Sequence, residues 1–460
     1  MVKDKKTKPS KELPLGFVDR QEKELLIRDF VISNIKEVMI KYGFQYLETP
    51  SFEYTDSIGK FLPDKDRPDQ GVFSFKDEKN WLSLRYDLTA PLSRYVAKNY
   101  LEIPKPFKRY QLGTVWRNEK PGPGRFREFL QFDADFVGTE NLMADAELCV
   151  MISEILKKCG LTDKDFTIKF SSRKAVEWVL DNYKINSKDK RSKVLRSLDK
   201  VDRLGWSEVK KLLGYGRKDA SGDFTDGADL TEDQINGIRW WLKYDSKEAY
   251  PPGTETAKYG SEETYKEIQK FRDNLDFFGL KNYKFDPTVI RGLEYYTGIV
   301  FEVNLNFDVQ NFKGKTIQFG SVGGGGRYDN LVSNFGNFDC PATGISIGLD
   351  RLVFALMQKK DFKIKTVRPI VICVFNKNKN EEYIGILNKL RASNISSEIY
   401  PGEGKLKKQM EYANKIGSPA VILYGDNEIK LGKATLKNLK TGNESSVKIE
   451  DLANEIKKLL

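Results

Sequence analysis

Histidine is missing altogether: none of the 460 residues of this chain is a histidine. Its absence excludes Ser-His-Asp triads, Cys-His nucleophile pairs and HExxH metalloproteases, because each of them needs an imidazole. It also excludes zinc sites with histidine ligands and phosphotransfer through histidine. Any chemistry that the protein performs must therefore use the carboxylates, guanidinium groups, amines and hydroxyl groups of its other side chains.

Cysteine and long apolar runs are also scarce. The four cysteines, Cys149, Cys159, Cys340 and Cys373, form no CxxC pair, so their spacing fits neither a zinc site nor a disulfide framework. We therefore expect a reducing compartment, the cytoplasm, and no structural metal bound by the protein. No apolar run is long enough to cross a bilayer, and the lysine-rich N-terminal segment lacks the apolar stretch of a secretory signal.

The composition is that of a folded protein with more than one domain. Hydrophobic residues make up 39% of the chain and charged residues 31%, which supplies enough apolar surface for packed cores. A chain of 460 residues usually divides into two or three domains. The formal charge of +11 favours a polyanionic partner such as nucleic acid, although a general bias towards lysine would produce the same excess.

Changes of pattern along the chain predict how it divides. Residues 1–18 are predicted to form a flexible tail, and residues 19–357 a domain with a mostly helical insertion at about 173–279. The charged segment 358–366 is predicted to be a linker. Residues 367–460 then follow the βαβαββα pattern of a compact α/β domain.

Two short motifs predict where helices begin. Asp19 with Glu22, and Thr231 with Gln234, have the spacing of a capping box, in which each side chain bonds the backbone amide of the other residue. Apolar residues recur at helical spacing after both motifs. We therefore expect a helix to start at each of these sites, and a strand to follow the first helix near Gln45.

The segment from Gln111 to Val137 predicts two antiparallel strands joined by a loop rich in proline and glycine. Alternation in the second strand should place Phe132, Ala134 and Phe136 on an apolar face. The opposite face should carry Arg127, Phe129, Gln131, Asp133 and Asp135. Arg117, just before the loop, is suited to binding a phosphate or carboxylate through its planar guanidinium. A surface hairpin with solvated charges is the alternative.

Two further arginines lie in distinctive segments. Arg291 stands beside two tyrosines in RGLEYYTG, and Arg351 opens a helix after the glycine-broken strand of GISIGLDRL. Together with Arg117, they could surround a triphosphate. The hairpin and the GLDR segment resemble motifs 2 and 3 of class II aminoacyl-tRNA synthetases, and the first helix with the strand ending at Pro50 is similar to motif 1. The segments RGLEYYTG, GGGRYD and LRYDLTAP resemble signatures of the histidyl-tRNA synthetases.

The resemblance covers nearly the whole chain and implies both a fold and an activity. The implied fold class is α+β, with a class II catalytic domain built on an antiparallel sheet flanked by helices, a helical insertion and a C-terminal α/β anticodon-binding domain. The implied activity is the activation of L-histidine with ATP and Mg²⁺, followed by transfer to tRNA(His). Motif 1 forms the dimer interface in this family, so the resemblance also implies a homodimer, and no membrane partner.

The resemblance further implies roles for single residues in ATP binding. Arg117 would bind the α-phosphate and Arg351 the γ-phosphate. Glu119 and Arg125 would help to place the nucleotide, and Phe129 would stack on adenine.

For the amino acid, Arg291 would be a catalytic residue together with Arg117, because it neutralises the substrate carboxylate and the α-phosphate as they approach each other. The ammonium group would be received by Asp87, Thr89 and Gln131. The imidazole pocket would be formed by Asp135, Tyr296 and Tyr328, whereas Tyr295 is expected to serve ordinary aromatic packing. Asp87 and Asp135 stand where the bacterial pattern has glutamate, which predicts either a pocket of different reach or another branch of the family.

Two other functions are compatible with parts of the pattern. One is a non-catalytic paralogue, similar to the regulatory subunit of ATP phosphoribosyltransferase, which shares the catalytic fold. The other is a class II synthetase for a different amino acid. The retained arginines and the additional domain after the linker favour the histidine ligase over the paralogue, and the tyrosine signatures favour histidine as the amino acid.

Overall fold

The computed structural model describes residues 10–59, 71–219, 222–242, 260–290, 292, 295–311, 313–317, 319–336, 338–364, 366–402 and 404–460. The chain divides into two compact units, Met1–Phe362 and Lys363–Leu460. Their boundary falls within the segment 358–366, for which the sequence predicts a linker. Across the described ranges, no helix is both long enough and apolar enough to span a membrane.

Strands and helices of the first unit surround one large sheet. In chain order its elements are α1 (Glu22–Lys41), β1 (Gln45–Tyr46), β2 (Phe52–Tyr54), α2 (Thr55–Gly59), β3 (Ser74–Asp77), β4 (Asn80–Leu84), α3 (Thr89–Lys98), β5 (Phe107–Trp116), β6 (Glu128–Val137), α4 (Leu142–Lys158), β7 (Phe166–Ser172), α5 (Arg173–Asn182), α6 (Lys188–Leu198), α7 (Val201–Leu204), α8 (Trp206–Leu213), β8 (Gly216–Lys218), β9 (Phe224–Asp226), α9 (Glu232–Leu242), α10 (Glu262–Phe277), β10 (Tyr283–Phe285), β11 (Ile299–Leu305), β12 (Val309–Gln310), β13 (Thr316–Ile317), β14 (Ser321–Arg327), β15 (Ala342–Gly348) and α11 (Leu349–Leu356).

The main sheet has eight strands in the order β1-β5-β6-β15-β14-β11-β7-β10. Its interior pairs are antiparallel, as predicted, with β5 and β6 forming the long hairpin. The two edge pairs, β1 with β5 and β10 with β7, are parallel. These parallel edges were not predicted, because strands of two or three residues carry too short a pattern to reveal their direction.

Helix α1 packs against α11 and α4 through an apolar stripe that includes Ile27, Val31 and Ile35, all completely buried. The prediction that a capping box at Asp19 starts this helix is wrong. Its N-cap is Gln21, which is extended and makes no side-chain capping bond. The residue between them, Arg20, is bound instead to Asp350, with Nη2 2.8 Å from Oδ2, so the chain turns into the helix only after this contact.

The predicted tail is shorter than residues 1–18. Residues 1–9 lie outside the described part, whereas the backbone oxygen of Gly16 accepts a hydrogen bond of 2.9 Å from the Arg127 amide. The ring of Phe17 also lies 6.1 Å from that of Phe73. Residues from Gly16 onwards therefore belong to the body of the first unit.

The inserted block, α5 to α10 with the hairpin β8–β9, has an apolar core of its own that includes Val179, Leu198, Ile238 and Trp241. The predicted capping box at Thr231 is confirmed. The Thr231 amide donates to Gln234 Oε1 at 3.0 Å, and the Gln234 amide donates to Thr231 Oγ1 at 3.3 Å. Part of the block predicted to be helical, residues 243–259, lies outside the described residues.

The second unit is a five-stranded sheet covered on both faces. Its elements are β16 (Ile370–Cys373), α12 (Asn380–Ala392), β17 (Ser397–Ile399), α13 (Leu406–Lys415), β18 (Ala420–Leu423), α14 (Asp426–Leu431), β19 (Lys433–Asn438), β20 (Glu444–Lys448) and α15 (Leu452–Leu459). Alternate residues of β16 face two cores, one with α12 and α15 and one with α13. The described residues thus form one strand and one helix more than the predicted βαβαββα pattern. The extra helix α14 is too short to show a helical period.

Two glycines of this unit test how far backbone conformation alone sets local stability. A methyl group added at Gly385, inside α12, or at Gly432, after α14, would meet no atom within 4 Å. Gly385→Ala should stabilise the protein by about 1 kcal/mol, because alanine favours helix. Gly432→Ala should destabilise it by about 1 kcal/mol, because the φ of +62° is left-handed. Urea unfolding of both variants measures the two effects, and shifts of the same sign would contradict this account.

Candidate active site

One face of the main sheet carries a row of polar groups that is buried. The registers place Gln131, Asp133 and Asp135 of β6 opposite Gly113, Gln111 and Arg109 of β5 and opposite Gly348, Ser346 and Gly344 of β15. The predicted alternation is confirmed, since Phe132, Ala134 and Phe136 are buried on the other face. The alternative, a surface hairpin with solvated charges, is excluded, because Asp133 and Asp135 are each only 2% exposed. Arg127 also departs from prediction, as β6 begins after it.

Asp135 lies at the centre of this polar face. Its Oδ1 accepts a hydrogen bond from the hydroxyl group of Tyr328, and its Oδ2 is 3.0 Å from Nη2 of Arg109. Burial raises the pKa of Asp135 to about 6, since it outweighs the opposing charge of Arg109, and the neighbouring Asp133 raises it further. Asp135 is thus a carboxyl group whose pKa lies near neutral pH, and it is held between the hydroxyl group of Tyr328 and the guanidinium of Arg109.

The second carboxylate, Asp133, is bound by two neighbouring side chains. Gln131 Nε2 donates to its Oδ1 at 2.8 Å, and Thr89 Oγ1 donates to its Oδ2 at 3.4 Å. Burial raises the pKa of Asp133 above its ordinary value, although Arg109 opposes this. Asp133 therefore connects Thr89, at the start of α3, to the central strand.

Asp87 fixes the same end of α3. Its Oδ1 accepts hydrogen bonds from the amides of Thr89 and Ala90, at 3.1 and 2.9 Å. Its Oδ2 accepts one from the hydroxyl group of Tyr295, at 2.7 Å. The expectation that Tyr295 only packs is therefore wrong, because its hydroxyl group orients a carboxylate of the site.

These side chains surround a small cavity. It is lined by Thr89, Asp133, Asp135, Tyr295, Tyr296, Tyr328, Gly344, Ile345 and Ser346. Of the residues predicted for the amino acid, Thr89, Asp135, Tyr296 and Tyr328 thus lie on its wall. Asp87 and Gln131 stand one hydrogen bond behind it, through Tyr295 and Asp133. Arg291 lies outside the described residues.

Arg117 is held beside this cavity by two aromatic rings. Its guanidinium lies 4.5 Å from the ring centre of Tyr86 and 5.2 Å from that of Phe129. Its Nε donates to the Tyr86 backbone oxygen at 3.1 Å, and its Nη2 donates to Gln131 Oε1 at 3.4 Å. Burial lowers the pKa of Arg117, but Tyr86, Glu119 and other acidic neighbours raise it, and the result is a pKa above the ordinary value. Arg117 is therefore a fixed positive charge.

The hairpin loop after Arg117 carries two more of the predicted residues. Glu119 accepts a hydrogen bond of 2.6 Å from the Tyr86 hydroxyl group and lies 4.0 Å from the guanidinium of Arg125. The amides and carbonyls of Gly122 and Arg125 bond each other across a tight turn. Arg125 is about half exposed, so its guanidinium can reach a ligand from the solvent side.

Arg351 lies in the first turn of α11. Its Nε donates to the Ser321 backbone oxygen at 2.9 Å, and its Nη2 donates to that of Phe319. The guanidinium covers the ring of Phe319 at 4.4 Å. A methyl group added at Gly124, at the tip of the hairpin loop, would lie 3.1 Å from the same ring. Phe319 thus links the hairpin that follows Arg117 to Arg351.

Sequence patterns missed several residues of this arrangement: Tyr86, Arg109, Asp133 as a cavity residue, Phe319 and Ser346. The alternation of the polar Arg109 and Gln111 with the more apolar Tyr110 and Leu112 in β5 was a usable signal for Arg109. The register that aligns Arg109 with Asp135 was not visible, because the loop between the strands allows several pairings.

A family model described as "Histidyl-tRNA synthetase" matches residues 16–352, which is well over half of the chain. The chain belongs to the histidyl-tRNA synthetase family. A second model, described as "Anticodon binding domain", matches residues 369–459. The two matches divide the chain between its two compact units.

Curated relatives extend over almost the whole sequence. A histidine–tRNA ligase of Brucella suis biovar 1 is 45% identical, over 97% of this chain and 92% of the relative. One of Bartonella quintana is 43% identical, over 98% of this chain and 93% of the relative. The implied class II fold is confirmed by a crystal structure of histidyl-tRNA synthetase from Nostoc sp. PCC 7120, with 25% identity, a TM-score of 0.71, and coverage of 98% of this chain and 100% of that one.

Gly344 allows Asp135 to reach its place in this synthetase fold. A methyl group on Gly344 would lie 1.9 Å from Asp135 Oδ1. Gly344→Ala should therefore destabilise the protein by about 1–3 kcal/mol through overpacking. Gly348 of the same strand is the control, because a methyl group there would meet only Arg351, at 3.7 Å or more. Thermal unfolding of both variants checks this, and equal melting temperatures would contradict the packing of Asp135 against β15.

Proposed function

We propose that this protein is a histidine–tRNA ligase, which forms histidyl-adenylate and pyrophosphate from L-histidine and ATP, and then transfers the histidyl group to tRNA(His) with release of AMP. The observation that carries the proposal is the cavity in which Asp135 and three tyrosines converge, in a chain of this family. As an aminoacyl-tRNA ligase the enzyme uses ATP, which we propose enters with Mg²⁺ as its substrate form.

The cavity suits a side chain that can both donate and accept hydrogen bonds. Asp135 can accept from an imidazole N–H, and the hydroxyl groups of Tyr296 and Tyr328 can donate or accept. An apolar side chain of similar size would leave these buried groups unpaired, which is costly. We assign the ammonium group to Thr89 and Gln131, with Asp87 behind them and with Asp133, which sequence reasoning had not included.

The reaction joins two anions, since the histidine carboxylate attacks the α-phosphate of ATP. Fixed positive charges lower that barrier without any proton transfer, so the lack of histidine side chains is no obstacle. Arg117, held rigidly between two rings, is our candidate for the α-phosphate, and Arg351 for the γ-phosphate. Arg291 remains our candidate for the group that contacts both reacting anions.

The remaining nucleotide contacts follow the hairpin loop. We propose that Phe129 stacks on adenine and that Glu119 and Arg125 place the nucleotide. The support is their position around Arg117, since Phe129 lies 5.2 Å from its guanidinium and Glu119 shares Tyr86 with it. Arg125, exposed at the turn, can close on the ligand from outside.

The second unit supports tRNA as the partner. Its sequence matches the anticodon-binding model, and the chain carries a net charge of +11, which favours a polyanion. The regulatory paralogue of ATP phosphoribosyltransferase is not favoured, because the relatives that match over nearly the full chain are histidine–tRNA ligases. We also propose a cytoplasmic location, which is supported by four free, buried cysteines.

ATP–pyrophosphate exchange with each of the twenty amino acids tests the proposed activity. We expect exchange with histidine, and Arg117→Ala should slow it by about 10²- to 10³-fold, the usual cost of one preorganised electrostatic contact. The control is Arg191→Ala, which removes an arginine paired with Glu177 in the helical insertion and should leave the rate nearly unchanged. Exchange with another amino acid, or with none, would overturn the proposal.

The small sheet β2-β4-β3 supports a homodimer. Its outer face is apolar, with Phe52, Tyr54 and Phe75 each 44–55% exposed. Its inner face is polar and includes Glu53, which is only 7% exposed and is paired with Arg94. A sheet that turns its apolar face outwards indicates a surface that another protein covers, and this sheet directly follows motif 1.

Light scattering coupled to gel filtration tests the dimer. Tyr54→Lys should raise the dissociation constant of the dimer by at least about tenfold, because it places a charge in a buried apolar contact. Tyr215→Lys is the control, since Tyr215 is 76% exposed but lies in the helical insertion. A monomeric wild-type protein, or equal effects of both substitutions, would contradict the assignment of this surface.

A further inference from the structure

Arg109 is a buried arginine behind the cavity that contacts one residue on each side of it, Asp135 and Leu88. It stands in β5 directly opposite Asp135 of β6, and its side chain is completely buried. Its Nη2 lies 3.0 Å from Asp135 Oδ2 and donates to the backbone oxygen of Leu88 at 3.1 Å. Leu88 stands between Asp87 and Thr89, so one nitrogen of Arg109 connects the ammonium side of the cavity to its imidazole side.

The hydrogen bonds of Arg109 differ from those of an arginine that only supports the backbone. Arg85, also buried, donates to the oxygens of Thr114 and Thr49 at 2.8 and 2.6 Å. In contrast, Nε and Nη1 of Arg109 are buried without a hydrogen-bond partner in the described structure. Burying a guanidinium with unpaired nitrogens is costly. The placement of Arg109 is therefore explained better by the charge that it brings to Asp135 than by its own bonding.

Among the residues that the structure describes, the other groups that act on the charge of Asp135 are acidic or neutral. Asp133 precedes it on β6, Asp87 approaches from the start of α3, and Tyr328 approaches from the end of β14. Asp133 and Asp87 oppose a negative charge on Asp135, as does its burial, whereas Arg109 and the hydrogen bond from Tyr328 favour it. Without Arg109, this carboxyl group would become protonated near neutral pH and lose part of its capacity to accept an imidazole N–H.

We propose that Arg109 is a positioning residue for amino-acid recognition: from behind the cavity it keeps Asp135 charged and aimed at the imidazole, while its bond to Leu88 fixes the segment that receives the ammonium group. The inference rests on the proposed histidine–tRNA ligase activity. Arg109 itself does not line the cavity, so it acts through Asp135 and Leu88.

The test is histidine-dependent ATP–pyrophosphate exchange between pH 5.5 and 9, with Arg109→Met and Arg109→Lys in the full-length enzyme. For Arg109→Met at pH 7 we expect the KM for histidine to rise about ten- to a hundredfold, the worth of a charge-assisted hydrogen bond, and the KM for ATP to stay within about twofold. Because the pKa of Asp135 moves up, this defect should shrink as the pH rises. The titration of histidine itself is common to all variants and cancels when they are compared.

Arg109→Lys keeps the charge. Its KM for histidine should therefore increase towards acidic pH with the same midpoint as that of the wild type. The KM for histidine of the double variant Arg109→Met/Asp135→Asn should be little higher than that of Asp135→Asn alone, since both substitutions act on one contact. That double variant also removes the buried ion pair as a unit, which favours folding if Arg109→Met alone is unfolded. The control is Arg173→Met, because Arg173 is paired with Glu177 in the helical insertion and its loss should change no KM.

A KM defect of Arg109→Met that is equal at every pH, or that adds fully to Asp135→Asn, would overturn the inference and assign Arg109 a merely structural role. If Arg109→Met does not fold, a shifted midpoint in the histidine KM profile of Arg109→Lys would overturn it instead. Failure of the proposed function is distinct from these outcomes, because the wild-type enzyme would then show no exchange with histidine.

Discussion

Two carboxylates on the buried sheet face, Asp133 and Asp135, and a third just before α3, Asp87, need partners from the protein itself, because they are shielded from water. Asp133 is bound by Gln131 and Thr89, Asp135 by Tyr328 and Arg109, and Asp87 by Tyr295 and two amides of α3. The bonds from Gln131 and from the amides of α3 are local, whereas those from Thr89, Tyr328 and Tyr295 join elements that are remote in sequence. These contacts therefore fix the side chains that line the cavity, without the help of a ligand.

A second set of contacts fixes the region around Arg351, where we propose that the nucleotide binds. Asp350 accepts hydrogen bonds from Arg20, which precedes α1, and from the backbone amide of Leu130 in β6. Its neighbour Arg351 donates to the backbone oxygens of Phe319, just before β14, and of Ser321, the first residue of β14. One short helix terminus thus joins the segment before the first helix, the central strand and Arg351, our candidate for the γ-phosphate. The geometry of Arg351 depends on α1 although the two are more than three hundred residues apart in sequence.

Local patterns predicted the alternation of β6, the inserted helical block and the capping box at Thr231, because each of these depends on neighbours in sequence. They failed at Asp19, where a long-range contact of Arg20 delays the start of the helix, and at the parallel edges of the sheet. Tyr295 was expected only to pack, since the partner of its hydroxyl group lies 208 residues away. The identity of the site came from resemblance. The pairing of Arg109 with Asp135, which balances the charges of the site, became visible only from the register of the strands in the structure.

The convergence of Asp135, Arg109, Tyr328 and Gly344 also bears on how specificity could evolve. These residues lie in β6, β5, at the end of β14 and in β15, and each fits the others closely enough that a larger or uncharged replacement leaves a clash or an unmatched charge. If these residues recognise the amino acid as we propose, a new preference would require coordinated changes on several strands, because intermediates with one change carry a buried defect. Single substitutions that would begin a change of amino-acid preference therefore lower the stability of the folded protein. They would be eliminated for that reason, before selection on the fidelity of translation acts.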